Sequence, residues 1–263
     1  IQTVRALAPS FGGINLEDIA APRCFDIEDA LQDLGIPVFH DDQHGTAIAV
    51  LAAVINALLV TNRRIENTKF VFAGAGAVGI ASTKLLLDHG AKHIILVDSV
   101  GIISRDRTDL TAVKSAMLGT TILDKLSGGI ADAMRGADVF IGLAAGDMIS
   151  PEMVTSMAKD SIVFAMANPI PEIWPDLAKA AGATVVGTGR SDFPNQVNNS
   201  LVFPGVFRGA LDCHATKVTT EMKLAAAQAL AAMIVEPTAE NVLPWSLDPE
   251  VARTVAKAVS DAA

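Results

Sequence analysis

The chain has 263 residues, of which 51% are hydrophobic and 19% charged, and its formal net charge is −9. This length suits one large domain or two ordinary ones. The negative charge argues against nucleic acid or an anionic membrane as the main partner. With two cysteines and no visible signal peptide, we expect a cytoplasmic protein.

Short β-branched runs alternate with alanine-rich helical patterns, which is typical of a parallel α/β sheet. In chain order we predict a helix near 27–34, a strand near 37–39, a helix near 44–59, strands near 70–73 and 94–97 around a helix near 78–89, a helix near 127–134, a strand near 139–141, a helix near 151–157, a strand near 162–165, a helix near 173–180 and a strand near 184–186. The last third predicts three helices, near 202–213, 219–233 and 249–259. The apolar stretch 46–60 follows charged residues, so we predict a buried helix there rather than a membrane span.

Two pairs of acidic residues come early in the chain, Glu17-Asp18 and Asp41-Asp42. The second pair follows an apolar strand end, where α/β folds place their sites. Carboxylate oxygens are the ligands that a hard divalent cation such as Mg²⁺ or Mn²⁺ prefers. Adjacent acids are usually surface residues, however, and Asp41-Asp42 could simply cap the helix that follows.

A glycine-rich loop follows the strand predicted near 70–73. Gly74, Gly76 and Gly79 occupy the three positions of the dinucleotide fingerprint, and Ala77 and Val78 open the helix behind it. The first glycine permits the tight turn, the second lets the backbone approach a pyrophosphate, and the third lets the helix pack closely. Free N–H groups at the start of the helix favour phosphate binding, so the sequence predicts a dinucleotide site.

Asp98 ends the next predicted strand, where an acidic group would bind the ribose hydroxyls. This position slightly favours NAD over NADP. Arg105, Arg107 and Lys114 follow closely and could meet a 2′-phosphate, or they could form a solvated charged loop.

Four segments together resemble the malic enzymes, and they occur in the order expected for that family. They are Phe11-Gly12-Gly13-Ile14-Asn15-Leu16-Glu17-Asp18-Ile19, Phe39-His40-Asp41-Asp42-Gln43-His44-Gly45-Thr46-Ala47, Phe164-Ala165-Met166-Ala167-Asn168-Pro169 and Gln196-Val197-Asn198-Asn199-Ser200-Leu201-Val202-Phe203-Pro204-Gly205. The resemblance covers nearly the whole chain and is similar to the shorter, bacterial form. It implies oxidative decarboxylation of L-malate to pyruvate and CO₂ with NAD or NADP and Mg²⁺ or Mn²⁺.

The resemblance also implies roles for particular residues. Glu17, Asp18 and Asp42 match the three metal-binding carboxylates, and Asp41 matches their neighbour, which orients ligands or a nearby base. Asn168 and Asn199 match the asparagines that contact malate, Asn168 and Asn198 lie near the cofactor, and the bland interpretation of all three is loop capping. The family's split architecture implies a Rossmann-type nucleotide domain at 42–198, inserted into a metal and substrate domain formed by 1–41 and 199–263.

The family assigns its acid and base to a tyrosine and a lysine that lie upstream of these segments. This sequence contains no tyrosine. We therefore expect the natural protein to extend further at its N-terminus, or a partner chain to supply these groups in a homodimer or higher homo-oligomer. His40 and His44 flank Asp41-Asp42 and could relay protons, although a structural role is the more common case.

Two alternatives stay open from the sequence, besides another dinucleotide-domain dehydrogenase of amino or hydroxy acids, which would leave the four ordered segments unexplained. A malolactic enzyme of the same family would keep NAD bound and release lactate. From another class, a non-catalytic NAD-binding or regulatory fragment would suit the missing tyrosine. The intact acidic residues argue against the second alternative, because a module that only binds NAD needs no metal ligands.

Overall fold

In the computed structural model, residues 1–119 and 126–263 are described. Within these residues the strands, numbered in chain order, are β1 (Ile14–Leu16), β2 (Val38–His40), β3 (Lys69–Ala73), β4 (His93–Val97), β5 (Val139–Gly142), β6 (Ile162–Ala165) and β7 (Val185–Thr188). The helices are α1 (Gln2–Leu7), α2 (Arg23–Asp29), α3 (Asp41–Val60), α4 (Ala77–Asp88), α5 (Ala112–Met117), α6 (Ile130–Met134), α7 (Pro151–Thr155), α8 (Pro175–Ala180), α9 (Phe203–Asp212), α10 (Thr220–Ala232) and α11 (Pro249–Asp261).

All strand pairs are parallel and form two sheets in the described part of the chain. The larger sheet has the order β4-β3-β5-β6-β7, and the smaller one pairs β1 with β2. The order reverses between β3 and β5, and the crevice at such a switch point is where open α/β sheets bind ligands. The predicted Rossmann-type α/β fold is therefore confirmed.

Both faces of the larger sheet are buried, as its continuous apolar strands require. Along β3, Phe70 and Phe72 face a core that also contains α3, α4 and the C-terminal helices, whereas Val71 faces the core formed with α6 and α8. The first core includes Val206 of α9 and Val255 of α11. One core thus runs across the boundary of the two predicted domains, and that division stays a prediction.

Helix α3 is the central helix of the molecule. By length and composition alone it could cross a membrane, but 72% of its most apolar window is buried inside the protein, as in a core helix. It packs against α4 on one side and α10 on the other. Its buried Asn56 Nδ2 donates to the carbonyl oxygens of Ala231 and Val242, each at 2.9 Å, which satisfies a polar group in an apolar environment.

Several predicted boundaries were wrong, and three elements were missed. The helix predicted at 27–34 is α2, which begins after Pro22 and ends before the turns that precede β2. The helix predicted at 127–134 begins only at Ile130, because Gly128 adopts a φ of +123° and Gly129 caps the helix. The elements β1, α1 and α5 span three, six and six residues, too few to show a periodic pattern.

Candidate functional site

The small sheet brings the two acidic pairs to one edge. Leu16 and His40 are register partners at the ends of β1 and β2, so the chain leaves both strands side by side at Glu17 and Asp41. The backbone N–H of Asp18, which has a φ of +55°, donates to Asp42 Oδ2 at 2.8 Å. Residues that lie 24 positions apart are thereby joined at the carboxyl end of the sheet. We call this group of four acidic residues the carboxylate edge.

Asp41 is the buried member of the carboxylate edge, with 4% of its surface exposed. Its Oδ2 accepts a hydrogen bond from Asn199 Nδ2 at 2.6 Å, whereas its buried Oδ1 has no hydrogen-bond partner among the described residues. Burial, together with the negative charges of Glu17 and Asp42, raises the pKa of Asp41 to about 7 against the hydrogen bond from Asn199. Its carboxyl can therefore exchange a proton near neutral pH.

The carboxylate edge lies at the start of α3. Asp41 and Asp42 occupy the first turn of this helix, where a negative charge interacts favourably with the helix dipole. Gly45 faces them one turn later, and a Cβ at that position would lie 1.9 Å from Asp41 Oδ1. Only a glycine leaves room for the Asp41 carboxylate in its observed position.

The side chains of the carboxylate edge do not converge on one point. Among residues 1–119 and 126–263, no three His, Cys, Asp or Glu side chains form a group that could hold a metal ion. Glu17 and Asp18 are exposed, and Glu17 Oε2 accepts from Asn15 Nδ2 at 2.7 Å. The donor set nevertheless suits a hard cation, because it consists of carboxylates and the charges of Glu17 and Asp42 repel that of Asp41.

Sequence reasoning missed two charged residues behind the carboxylate edge, Glu28 and Lys223. Glu28 of α2 is buried and contacts Gln43 at 3.0 Å and His44 at 2.8 Å. Lys223 of α10 lies 3.1 Å from His44 Nδ1. No local motif marks Glu28 or Lys223, because they lie on α2 and α10 and meet only through residues of α3.

The glycine loop after β3 has the geometry that its sequence implies. Gly74 has a φ of +110°, and a Cβ there would lie 2.6 Å from the Leu143 carbonyl oxygen. A Cβ at Gly79 would lie 2.0 Å from the Gly74 carbonyl oxygen, whereas Gly76 has open space around it. Ala77 and Val78 form the first turn of α4, whose leading N–H groups have no partner within the helix.

Asp98 follows β4 directly and is already engaged. Its carboxylate accepts from Arg107 Nη1 at 2.7 Å and Nη2 at 3.1 Å, and from Lys114 Nζ at 2.6 Å. Burial raises the pKa of Asp98, but the hydrogen bonds from Arg107 and Lys114 outweigh it and hold that pKa well below its ordinary value. Arg107 and Lys114 are therefore ion-paired rather than solvated. Together with Gly74 and Gly76, Asp98 and Lys114 line a cavity of about 310 Å³.

Asn168 lies in an exposed loop at the carboxyl end of β6. Its predecessor Ala167 donates its backbone N–H to Glu172 Oε2 at 3.0 Å, and Ala144 donates to Glu172 Oε1 at 2.9 Å. Glu172 is fully buried, and burial raises its pKa despite these hydrogen bonds. Glu172 thus joins the loops after β5 and β6, and it was also missed from the sequence. A single glutamate in an otherwise apolar segment was the available signal.

The two adjacent asparagines have different surroundings. Asn199 donates to Asp41 and so lies at the carboxylate edge. Asn198 Oδ1 accepts from the backbone N–H of Ser200 at 2.9 Å and caps the short 3₁₀ turn that precedes α9. Capping is the bland interpretation considered for these residues, and it describes the contact that Asn198 makes.

Comparison with known proteins identifies the family of the chain. Residues 43–263 match the family described as "Malic enzyme, NAD binding domain". The chain is 52% identical to the bifunctional malic/malolactic enzyme of Bacillus subtilis over its whole length, and 48% identical over 92% of its length to the NADP-dependent malic enzyme of Halomonas elongata. It spans 65% and 58% of those two relatives.

A solved structure gives the same result. The crystal structure of the NAD-dependent malic enzyme from Thermotoga maritima superposes with a TM-score of 0.97 at 46% identity. The match covers 100% of this chain and 70% of that one.

Proposed function

This chain belongs to the malic enzyme family, and we propose that it serves the oxidative decarboxylation of L-malate to pyruvate and CO₂ with reduction of NAD or NADP. One observation carries the proposal beyond family membership: a buried carboxyl, Asp41, lies between acidic neighbours and an asparagine amide. A chain that only bound a dinucleotide would have no use for such an edge. The glycine loop and Asp98 supply the cofactor half of the site.

The carboxylate edge would hold Mg²⁺ or Mn²⁺ through Glu17, Asp18 and Asp42. The repulsion of Asp41 by Glu17 and Asp42 and the unpartnered Oδ1 of Asp41 support this assignment, since nearby carboxylates are stable together when a cation neutralises them. When bound, the cation would polarise the C2 oxygen of malate and stabilise negative charge on that oxygen during loss of CO₂.

The chain's own residues orient the substrate around this edge. The hydrogen bond from Asn199 Nδ2 to Asp41 holds the Asn199 side chain in one orientation. The rest of its amide is therefore already oriented before malate would bind. Asp41 Oδ1 makes no hydrogen bond among the described residues, so it is the oxygen at which this carboxyl would accept a proton. Asn168, in the exposed loop after β6, would contact malate beside the nicotinamide ring.

The cofactor would bind along the carboxyl end of the larger sheet. Gly74, Gly76 and Gly79 allow the pyrophosphate to approach the N-terminus of α4, where the N–H groups of Ala77 and Val78 are available. We propose a preference for NAD, because Asp98 directly follows β4, the position at which an acidic residue binds the ribose hydroxyls in Rossmann folds. Arg107 and Lys114 balance the charge of Asp98, so NADP is the competing ligand to measure.

We place Asn198 near the cofactor and propose a cytoplasmic homodimer or higher homo-oligomer.

The first experiment is cofactor reduction by this chain with L-malate and Mn²⁺, comparing NAD with NADP. Pyruvate is the expected product, and lactate would support the malolactic alternative. In the complete enzyme, Asp42→Ala is expected to abolish metal-dependent turnover while NADH binding stays intact. Asp29→Ala, which removes an exposed carboxylate from α2, is the control.

Each outcome has a separate meaning. Turnover by Asp42→Ala at the unmodified rate would contradict the metal assignment. Failure of the unmodified chain to bind NADH, followed by fluorescence, would contradict the cofactor site. NADH binding without turnover would assign the acid and base to residues outside this sequence.

A further inference from the structure

A continuous line of polar groups runs from the carboxylate edge into the protein. Its members contact one another through side chains and come from β2, α2, α3 and α10. We call it the buried polar chain, and in spatial order it consists of Asp42, His40, Gln43, Glu28, His44 and Lys223. A cavity of about 500 Å³ lies beside Glu28, Gln43, His44 and Lys223.

The chemistry of Glu28 sets the direction of the hydrogen bonds toward the carboxylate edge. Because an ionised carboxylate only accepts hydrogen bonds, the side-chain NH₂ of Gln43 must face Glu28 Oε2, 3.0 Å away. The same NH₂ lies 2.7 Å from His40 Nδ1, so it donates there as well. His40 therefore carries its proton on Nε2, the nitrogen that lies 3.3 Å from Asp42 Oδ2.

The far end of the buried polar chain keeps Glu28 ionised. His44 Nε2 lies 2.8 Å from Glu28 Oε1 and can donate to it, while Lys223 Nζ lies 3.1 Å from His44 Nδ1. Burial raises the pKa of Glu28, but the hydrogen bond from His44 and the positive charge of Lys223 bring it below its ordinary value. Each oxygen of the Glu28 carboxylate thus accepts one hydrogen bond, Oε2 from Gln43 and Oε1 from His44.

His40 is the link that reaches the carboxylate edge. It is fully buried at the end of β2, and its Nε2 makes no hydrogen bond among the described residues, although Asp42 Oδ2 lies 3.3 Å away, within ion-pair distance. With the opposite tautomer, a lone pair would face the Asp42 carboxylate and repel it. Which nitrogen of His40 carries the proton therefore decides whether Asp42 is held or pushed away.

We propose that Glu28 is a positioning residue that acts through Gln43 and His40 to hold the Asp42 carboxylate in place for the divalent cation. The proposal rests on the proposed metal role of Asp42. Groups that orient metal ligands in this way typically change metal affinity about 10–100-fold when they are removed. Glu28 itself need not touch cation, substrate or cofactor.

The first test is the tautomer of His40 in the metal-free protein. Long-range ¹⁵N–¹H NMR spectra of the imidazole rings distinguish a proton on Nε2 from one on Nδ1. We expect the Nε2–H form in the unmodified chain, and a mixture of forms in Glu28→Gln, because glutamine offers one acceptor to two donors. An Nδ1–H form of His40 in the unmodified chain would overturn the proposal without any variant.

The second test is Mn²⁺ binding, followed by the electron paramagnetic resonance signal of the free ion. We expect Glu28→Gln to weaken Mn²⁺ binding about tenfold. Asp29→Asn is the matched control, because it removes one charge from an exposed side chain of the same helix beside the same cavity. Its Mn²⁺ affinity should stay unchanged.

A double-mutant cycle separates positioning from a general structural effect. In His40→Gln, the side-chain NH₂ can donate toward Asp42 without any tautomer to set. Glu28→Gln should then cause no further loss of Mn²⁺ affinity in that background, and an undiminished additional loss would contradict the proposal. Asp42→Asn distinguishes a failure of the metal assignment from a failure of the positioning role. If it leaves Mn²⁺ binding unchanged, the metal assignment fails; if it removes binding while Glu28→Gln does not, the positioning role alone fails.

Discussion

Asp41 and Asp98 occupy equivalent places in two sheets, yet their carboxyls behave in opposite ways. Each directly follows a parallel strand, and each side chain is largely buried. Burial raises the pKa of both. At Asp41 the neighbours are an amide and further carboxylates, and the pKa rises to about 7; at Asp98 they are Arg107 and Lys114, and the pKa falls. Partners rather than depth decide the charge of a buried acid.

This difference shows that the cluster at Asp98 and the carboxylate edge need different partners. The cluster at Asp98 is electrostatically complete within the chain, so its integrity contributes to folding. The carboxylate edge has negative charge without an internal cation, so it is arranged for something that binds. The glycines show the same contrast, because Gly79 approaches backbone whereas Gly45 approaches the movable end of the Asp41 side chain.

The largest expected effect comes from Gly79→Ala, which tests the glycine that approaches backbone rather than a side chain. The new Cβ would lie 2.0 Å from the Gly74 carbonyl oxygen, a backbone atom that cannot move without displacing the loop. We expect a loss of at least about 3 kcal/mol in the free energy of unfolding, measured by urea denaturation, and loss of NADH binding. Gly45→Ala should cost less, because the Asp41 side chain can rotate away. Equal losses in the two variants would contradict the contrast.

Asp98→Asn tests whether the Asp98 cluster stabilises the fold. It leaves Lys114 without a carboxylate, although Arg107 keeps its pair with Asp109. A broken buried pair costs roughly 3–5 kcal/mol, and the partial exposure of both cations reduces the expectation to about 2 kcal/mol. Asp106→Asn, in the same loop, is the control.

The effect of Asp98→Asn should depend on pH. A carboxyl whose pKa is lowered by folding contributes stability above its unfolded pKa, about 4, and loses that contribution as the pH falls below it. The stability difference between the unmodified chain and Asp98→Asn should therefore be largest near neutral pH and shrink on acidification. A difference that grew toward low pH would contradict the assigned direction of the shift.

Glu172→Gln tests a buried carboxylate that joins two loops without any cation. Its oxygens accept from the backbone N–H groups of Ala144 and Ala167, so a glutamine must point an N–H at one of these donors. We expect a loss of about 1–2 kcal/mol. Hydrogen exchange should accelerate at these two amides while the amides of β3 stay protected, and NADH affinity should fall. Glu152→Gln, on the exposed face of α7, is the control.

Local patterns predicted much of the fold. Each strand of the larger sheet was found close to its predicted position, because buried parallel strands are continuous apolar runs. Strand β1 was missed, since three residues after two glycines carry no such run. The glycine loop was also predictable, because its residues are neighbours in sequence.

Contacts between distant residues were not predictable in this way. Asn199 and Asp41 are 158 positions apart, and only the family resemblance connected them. The buried polar chain depends on how α2, α3 and α10 pack, which no local spacing encodes. Asp98 was predicted as a ribose ligand, but the ion pairs that occupy it depend on the path of the loop after β4.

Gly76→Ala should have the smallest effect on stability of these variants. It tests whether folding and NADH binding can be separated at the glycine loop. Gly76 has a φ of −85°, and no described atom lies within 4 Å of the place that an alanine Cβ would take, so alanine fits without strain. We expect the free energy of unfolding to change by less than about 0.5 kcal/mol. The methyl group would nevertheless occupy the surface on which a pyrophosphate must lie against the start of α4, so NADH affinity should fall. Gly119→Ala, where no described atom lies within 4 Å of the new Cβ either, is the control for stability and binding. Unchanged NADH affinity in Gly76→Ala would place the cofactor elsewhere, because folding and binding separate at this glycine whereas they fail together at Gly79.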